Sequence, residues 1–178
     1  MHDGDDTAAG QGPWLNETSV PANHYRFTTR WRLEATPEEV FAVLDRPLDY
    51  VRWWPAVWLR AELLEPGNSN GVGRTVRFLS RGRLPYTLQW TAETVDVCRP
   101  TRIAIRASGD FDGTGEWTLQ TVRPAHTDAE YVWTITANKP LLKYLSPVLR
   151  PLFEWNHRWA MARGEESLRR ELQRRGHG

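Results

Sequence analysis

The chain has 178 residues, enough for one domain with one substantial core. Its 23 Lys and Arg, almost all Arg, balance 22 Asp and Glu to a net charge of +1, which gives no reason to expect nucleic acid or an acidic membrane as partner. Cys98 is the only cysteine, so an intrachain disulfide and a cysteine-based zinc site are excluded.

A lone thiol suits a reducing, cytoplasmic setting. No apolar run approaches the roughly 18 residues of a membrane span, so stable membrane insertion is not expected. The unusual count is 10 Trp, beside 5 Tyr and 5 Phe. A core built for stability draws mainly on Leu, Ile and Val, and an indole N–H wants a partner when buried. So many indoles favour a cavity, an interface or a ligand site.

Residues 1–22 lack periodicity and are rich in Gly, Asp, Ala, Thr and Pro, the composition of a disordered tail. Their acidic start is unlike a signal peptide, so the sequon at Asn16 is expected to stay unglycosylated. Residues 23–175 are expected to form one domain. His24 to Glu34 alternates: Tyr25, Phe27, Thr29, Trp31 and Leu33 face one way and Arg26, Thr28, Arg30, Arg32 and Glu34 the other, a half-buried strand. "ATPEEVFAVLD" follows as a helix with Thr36 as N-cap, Pro37 at its first position and Glu39 completing a capping box. Pro47 stops it and starts a second short helix, "PLDYVRWWP", which Pro55 ends.

From Val57 the pattern is strand after strand: Val57–Leu64, Arg74–Ser80, Tyr86–Val97, Arg102–Ala107, Gly115–Val122 and Glu130–Ala137. The connections "EPGNSNGVG", "RGRLP", Arg99-Pro100, "GDFDG" and "RPAHTD" read as turns, and such short links imply an antiparallel meander. Trp58 opens the first of these strands. The remaining segment is helical, with Leu145, Leu149, Leu152, Phe153, Asn156, Ala160, Leu168 and Leu172 near one stripe. Pro147 and Pro151 are expected to divide its first part, so that the uninterrupted helix begins near Pro151. Gly164, near the stripe, permits a close approach. The predicted class is therefore α+β: a curved antiparallel sheet of about seven strands around a long C-terminal helix, with two short helices after the first strand.

This order of elements resembles the START-like (SRPBCC) superfamily, the helix-grip fold. The resemblance runs over about residues 24–174. It is carried by "ATPEEVFAVLDRPLDYVRWWP", "GVGRTVRF", the pair "GTGEWTLQ" and "AEYVWTITA", and the ending "FEWNHRWAMARGEESL", which is similar to the polyketide cyclase/dehydrase branch. It implies an internal cavity between sheet and terminal helix that binds a hydrophobic or aromatic small molecule, a lipid or a polyketide-like metabolite. The alternative it implies is a cyclase or dehydratase acting on a chain held there. Tyr50, Trp53 and Trp54 would stand at the cavity rim, with one of the two indoles pointing inward and the other packed beneath. Phe78, Trp90, Trp117 and Trp133 of the strands, and Phe153, Asn156 and Ala160 of the helix, would contribute to the wall. The three strand indoles serve equally well as core, and the last strand could instead turn Val132, Thr134 and Thr136 inward.

For chemistry, Asn156 is the one catalytic candidate: it could bind a substrate carbonyl, or cap an internal polar contact. His157 could move a proton, or face the sheet edge or solvent. Arg77 and Arg106 sit mid-strand, where an inward arginine would call for a carboxylate or enolate ligand; alternation places Arg77 outward, and Arg163 could reach the cavity or pair with Glu166. No phosphate loop or nucleophile elbow is present. The histidines at 2, 24, 126, 157 and 177 are too scattered to suggest a metal site, and no cofactor is expected. A third use of exposed indoles would be docking, including a homodimer through a sheet edge.

Overall fold

A computed structural model of the protein describes residues 24–138 and 140–176. The side chains of Ala137 and of residues 140–150, and the expected tail at 1–22, lie outside the described residues. In chain order the elements are β1 (His24–Leu33), α1 (Pro37–Leu44), a short 3-10 turn (Pro47–Asp49), α2 (Tyr50–Trp53), β2 (Trp58–Glu65), β3 (Thr75–Arg81), β4 (Thr87–Cys98), β5 (Arg102–Gly109), β6 (Phe111–Arg123), β7 (His126–Ala137) and α3 (Pro140–Gly176). The seven strands form one antiparallel sheet in the order β1-β7-β6-β5-β4-β3-β2. Strands β2 to β7 are thus a meander, and β1 closes onto the last of them, with Trp31 opposite Ala129. The architecture is the expected helix-grip arrangement.

Local sequence explains the elements. Thr36 accepts from the Glu39 backbone while the Glu39 carboxylate accepts from the Thr36 N–H at 2.8 Å, so both ends of the capping box are made. Thr127 ties β7 to the β1–α1 link through a buried bond to the Ala35 carbonyl at 2.7 Å. Bulges in β2, β4 and β6 interrupt the ladders, and each adds bend and twist, which curves the sheet around α3.

Two expected turns prove shorter. "GDFDG" is not a loop: β5 runs to Gly109 and β6 begins at Phe111. The Asp110 carboxylate accepts from Gln89 N and Asp110 N donates to Gln89 O, folding the link back onto β4. Phe111 is therefore ladder-paired and buried. Likewise only Pro124 and Ala125 separate β6 from β7, with Ala125 at φ 55°. The helix also differs from expectation. It is continuous from Pro140 across Pro147 and Pro151, because each proline removes one N–H while the flanking residues keep theirs. Leu152 is exposed, so the inward stripe runs through Phe153, Asn156, Ala160, Gly164 and Leu168. Leu145 and Leu149 fall outside the described side chains.

The apolar residues divide into two main clusters. One packs Trp31, Leu33, Leu119 and Ala129 of the sheet against Val40, Phe41, Val43 and Leu44 of α1, Trp53 of α2 and Trp54 that caps it, and Met161 and Leu168 of α3. Each buried Val, Leu, Phe or Met among them contributes about 1.5–3 kcal/mol. Gly164 makes this packing possible: a Cβ there would lie 2.4 Å from the Trp54 ring, so the bare backbone lets that indole slide beneath α3. Glu171, almost fully buried, fastens the same end. It accepts two bonds at 2.8 Å from Arg52 of α2 and further bonds from Arg174 and Arg175. These cations hold its carboxyl far below the usual carboxylate range. The second cluster comprises Val76, Phe78, Trp90, Ala92, Ala107, Phe111 and Trp133.

Candidate functional site

The second cluster does not close over itself. Between the concave face of the sheet and α3 lies a cavity with about 230 Å³ open to the centre of a water-sized sphere, where one water needs ~10–15 Å³. Alternation brings the wall together: Trp90 and Ala92 of β4, Trp117 and Gly115 of β6, and Tyr131, Trp133 and Ile135 of β7 all point inward. Val132, Thr134 and Thr136 take the opposite phase. The rings touch in sequence around the wall. Trp58 lies 4.5 Å from Phe78, Phe78 5.2 Å from Trp90, Trp90 5.0 Å from Phe111, and Tyr131 4.6 Å from Trp117, centroid to centroid. These are offset or tilted contacts, the geometry aromatic rings prefer.

Of the sequence-predicted residues, Tyr50, Trp54, Phe78, Trp90, Trp117, Trp133, Phe153, Asn156 and Ala160 border the cavity. Trp53 does not. It stacks behind Trp54 at 5.5 Å, and neither indole stands at an open rim: they are 6% and 4% exposed. The reason is Gly164, which draws Trp54 under α3, so that α2 seals one end of the space. Elsewhere on the wall the half-buried Gly82 lies against Asn156 of α3 and Tyr86 packs with Phe153 around Tyr25, while the exposed Arg81 bonds to the Ala56 carbonyl just after α2.

Sequence reasoning left out Trp58, placed only as a strand opener, and Phe111, hidden in an apparent turn. It also left out Tyr25, Phe27 and Tyr131, although these share the inward phase of residues it did name. His157 reaches the wall too. Its ring stacks on Phe27 of the edge strand β1 at 4.3 Å, and its Nε2 is 3.3 Å from Thr29 Oγ1.

The polar groups of the wall are mostly engaged by the protein. Tyr50 donates to the Leu44 carbonyl at 2.6 Å. Trp90 Nε1 donates to Ser80 at 3.1 Å. Arg74 donates to Asp45 at 2.8 Å, where Arg99 also pairs. Asn156 Oδ1 accepts from Arg83 N at 2.7 Å and from Leu84 N, strapping the β3–β4 turn to α3. Burial pushes the His157 imidazole down to about 4 and the Tyr131 phenol well above 10, so both are neutral at pH 7. The indole N–H groups of Trp31, Trp53, Trp54 and Trp58 are buried with no hydrogen-bond acceptor. Trp54 meets Trp31 and Trp58 edge-to-face, with ring centroids 5.8 Å apart in each pair. Arg77 and Arg106 lie on the outer face, paired with Glu62 and Glu93, and Arg163 pairs with Glu166 at 3.1 Å.

Among the described residues there is no group of three or more His, Cys, Asp or Glu placed to hold a metal, and no helix long and apolar enough to cross a membrane. A comparison with curated proteins finds no match. Among solved structures, the fold is similar to the Zhui aromatase/cyclase from Streptomyces sp. R1128, with a TM-score of 0.70 and 19% identity over 85% of this chain and 95% of that one. It is also similar to a START superfamily protein from Mycobacterium smegmatis, with a TM-score of 0.69 and 10% identity over 84% and 97% of the two chains. At such identities the likeness concerns the fold. Residues 24–173 match the family model described as polyketide cyclase / dehydrase and lipid transport. The chain therefore belongs to that family.

Proposed function

We propose that the protein holds a hydrophobic, ring-bearing small molecule in the cavity beneath α3. The observation that carries this reading is the wall: aromatic side chains from β2, β3, β4, β6 and β7 surround space that they do not fill. Ring faces at this spacing stack against flat apolar guests. A lipid or a polyketide-like metabolite matches that chemistry, and the family description supports both classes. The test is native mass spectrometry of gently purified protein, combined with melting in the presence of a lipid and aromatic library. A co-purifying small molecule, or a rise in Tm with aromatic ligands, is expected. An empty protein whose Tm no library member moves would overturn the reading.

A second reading, a cyclase or dehydratase, is favoured by one observation, the presence of His157 on the wall. A base held at about 4 is a weak proton acceptor at pH 7, and its Nε2 already meets Thr29. The Asn156 oxygen is committed to the β3–β4 turn, leaving only its Nδ2 for a substrate carbonyl. Catalysis on these terms would come from folding a reactive chain and excluding water. Turnover of a poly-ketone surrogate, slowed by Asn156→Ala, would establish it; binding without turnover is expected.

A further inference from the structure

Most polar groups on the cavity wall have protein partners, but the Tyr131 hydroxyl does not. Among the described residues it has no hydrogen bond, and it is not one of the sealed orphan atoms, so it retains surface that only the cavity reaches. Its position is fixed. The ring stacks on Trp117 at 4.6 Å and 28° and on Trp133 at 5.8 Å and 21°, a row of three near-parallel rings across β6 and β7. The hydroxyl lies over Gly115, where a Cβ would come within 2.4 Å of the oxygen. The glycine clears the space in which that oxygen stands.

From this geometry we infer that Tyr131 is the polar anchor of the cavity, a hydrogen-bond donor that selects a ring-bearing ligand with a carbonyl oxygen over a plain hydrocarbon of the same shape. The inference rests on the binding function proposed above and narrows its ligand class. Burial keeps the phenol protonated far beyond neutral pH, so the group can always donate. A guest that supplies an acceptor satisfies a donor already held in place by two indoles. A hydrocarbon guest expels water from the hydroxyl and offers nothing in return, which disfavours it.

The experiment compares fluorenone with fluorene, which differ by one carbonyl oxygen in place of two hydrogens, by calorimetry on the full chain. The wild-type protein should bind fluorenone about tenfold more tightly than fluorene. Tyr131→Phe keeps the ring stack and should abolish that preference by weakening fluorenone while leaving fluorene unchanged or tighter. The carbonyl stretch of bound fluorenone supplies a second readout. It should shift to lower frequency in the wild-type complex and return in Tyr131→Phe, a change that loss of packing alone would not produce. Equal preference in both proteins, or an unshifted carbonyl, overturns the role of Tyr131 while leaving the cavity reading intact. Failure of both molecules to bind overturns the cavity reading and this inference with it.

Discussion

Trp31 and Trp133 face the same side of the same sheet, on the neighbouring strands β1 and β7, yet their surroundings differ. Trp31 is 1% exposed and is enclosed by α1, α2 and the later turns of α3. Trp133 borders space, although it too is buried. The packed end has a full roof, made of two short helices and the part of α3 that carries Gly164 and Leu168. Over the hollow end α3 is joined only by Tyr50 of α2, the Trp54 that follows it and the Leu44–Pro47 link, and space remains facing Ala92 and Gly115 between the large rings. Residue type therefore does not decide whether an indole is core or wall. What lies on the other side of the cavity decides it, and that is set by the length of α2 and by one glycine.

The contrast predicts opposite responses to substitution. The largest effect belongs to the packed end: Trp31→Ala should cost about 3–5 kcal/mol in urea unfolding, with ligand affinity of the folded fraction unchanged. A loss below about 1 kcal/mol would show that this end is looser than described. Next is Glu171→Gln, which leaves Arg52, Arg174 and Arg175 without their buried anion. Because these arginines are partly exposed, a cost of about 2 kcal/mol at pH 7 is expected. The folded-state pKa of Glu171 is depressed, so its contribution is complete above the ordinary carboxylate range and is lost as pH falls below it.

His157 gives the hollow end a different acid response. Its folded pKa is lowered to about 4 from 6.5. Protons therefore favour the unfolded chain progressively as pH drops from about 6.5 toward 4, and stability should fall by roughly 2.5 kcal/mol across that window. His157→Leu should flatten this slope, leaving the lower-pH slope due to Glu171. An unchanged slope between pH 7 and 4.5 would show that the imidazole is not sealed. The smallest stability effect is expected from Ala160→Trp, which fills space rather than creating it. It should change unfolding by less than about 1 kcal/mol while weakening fluorenone binding at least tenfold. Normal binding in this variant would place the guest elsewhere.

The fold was legible because its signals are local. The Thr36 and Glu39 box, the Pro47 break and the alternation of Trp90, Ala92, Trp117 and Trp133 each specify an element with no knowledge of the rest. The site was legible only in part, for the same reason. Inward phase can be read from alternation, and Tyr131 shares it with Trp133. Whether an inward ring meets a partner or a gap depends on residues far away in the chain, as with Gly164 and Trp54. Phe111 was lost because Gly-Asp-Phe-Asp-Gly has turn composition, and only the bonds between Asp110 and Gln89 turn it into paired strand. Asn156 and His157 stand side by side on α3, and nothing local says that one straps a turn while the other lies against β1.

One topological feature bears on how the chain is made. Of the seven strands of this sheet, β1 leaves the ribosome first and its partner β7 last, with Tyr25 opposite Ile135. At about 5–20 residues per second, synthesis of the intervening stretch takes several seconds or more. Throughout that interval Tyr25, Phe27 and Trp31 have no ladder to join. The arginines at 26, 30 and 32 then have a use before the native state exists: a strand with one cationic face resists pairing with other nascent chains while it waits. In the finished molecule β1 remains a sheet edge, Arg30 and Arg32 pair with Glu130 and Asp128 of β7, and the same charges guard it from then on.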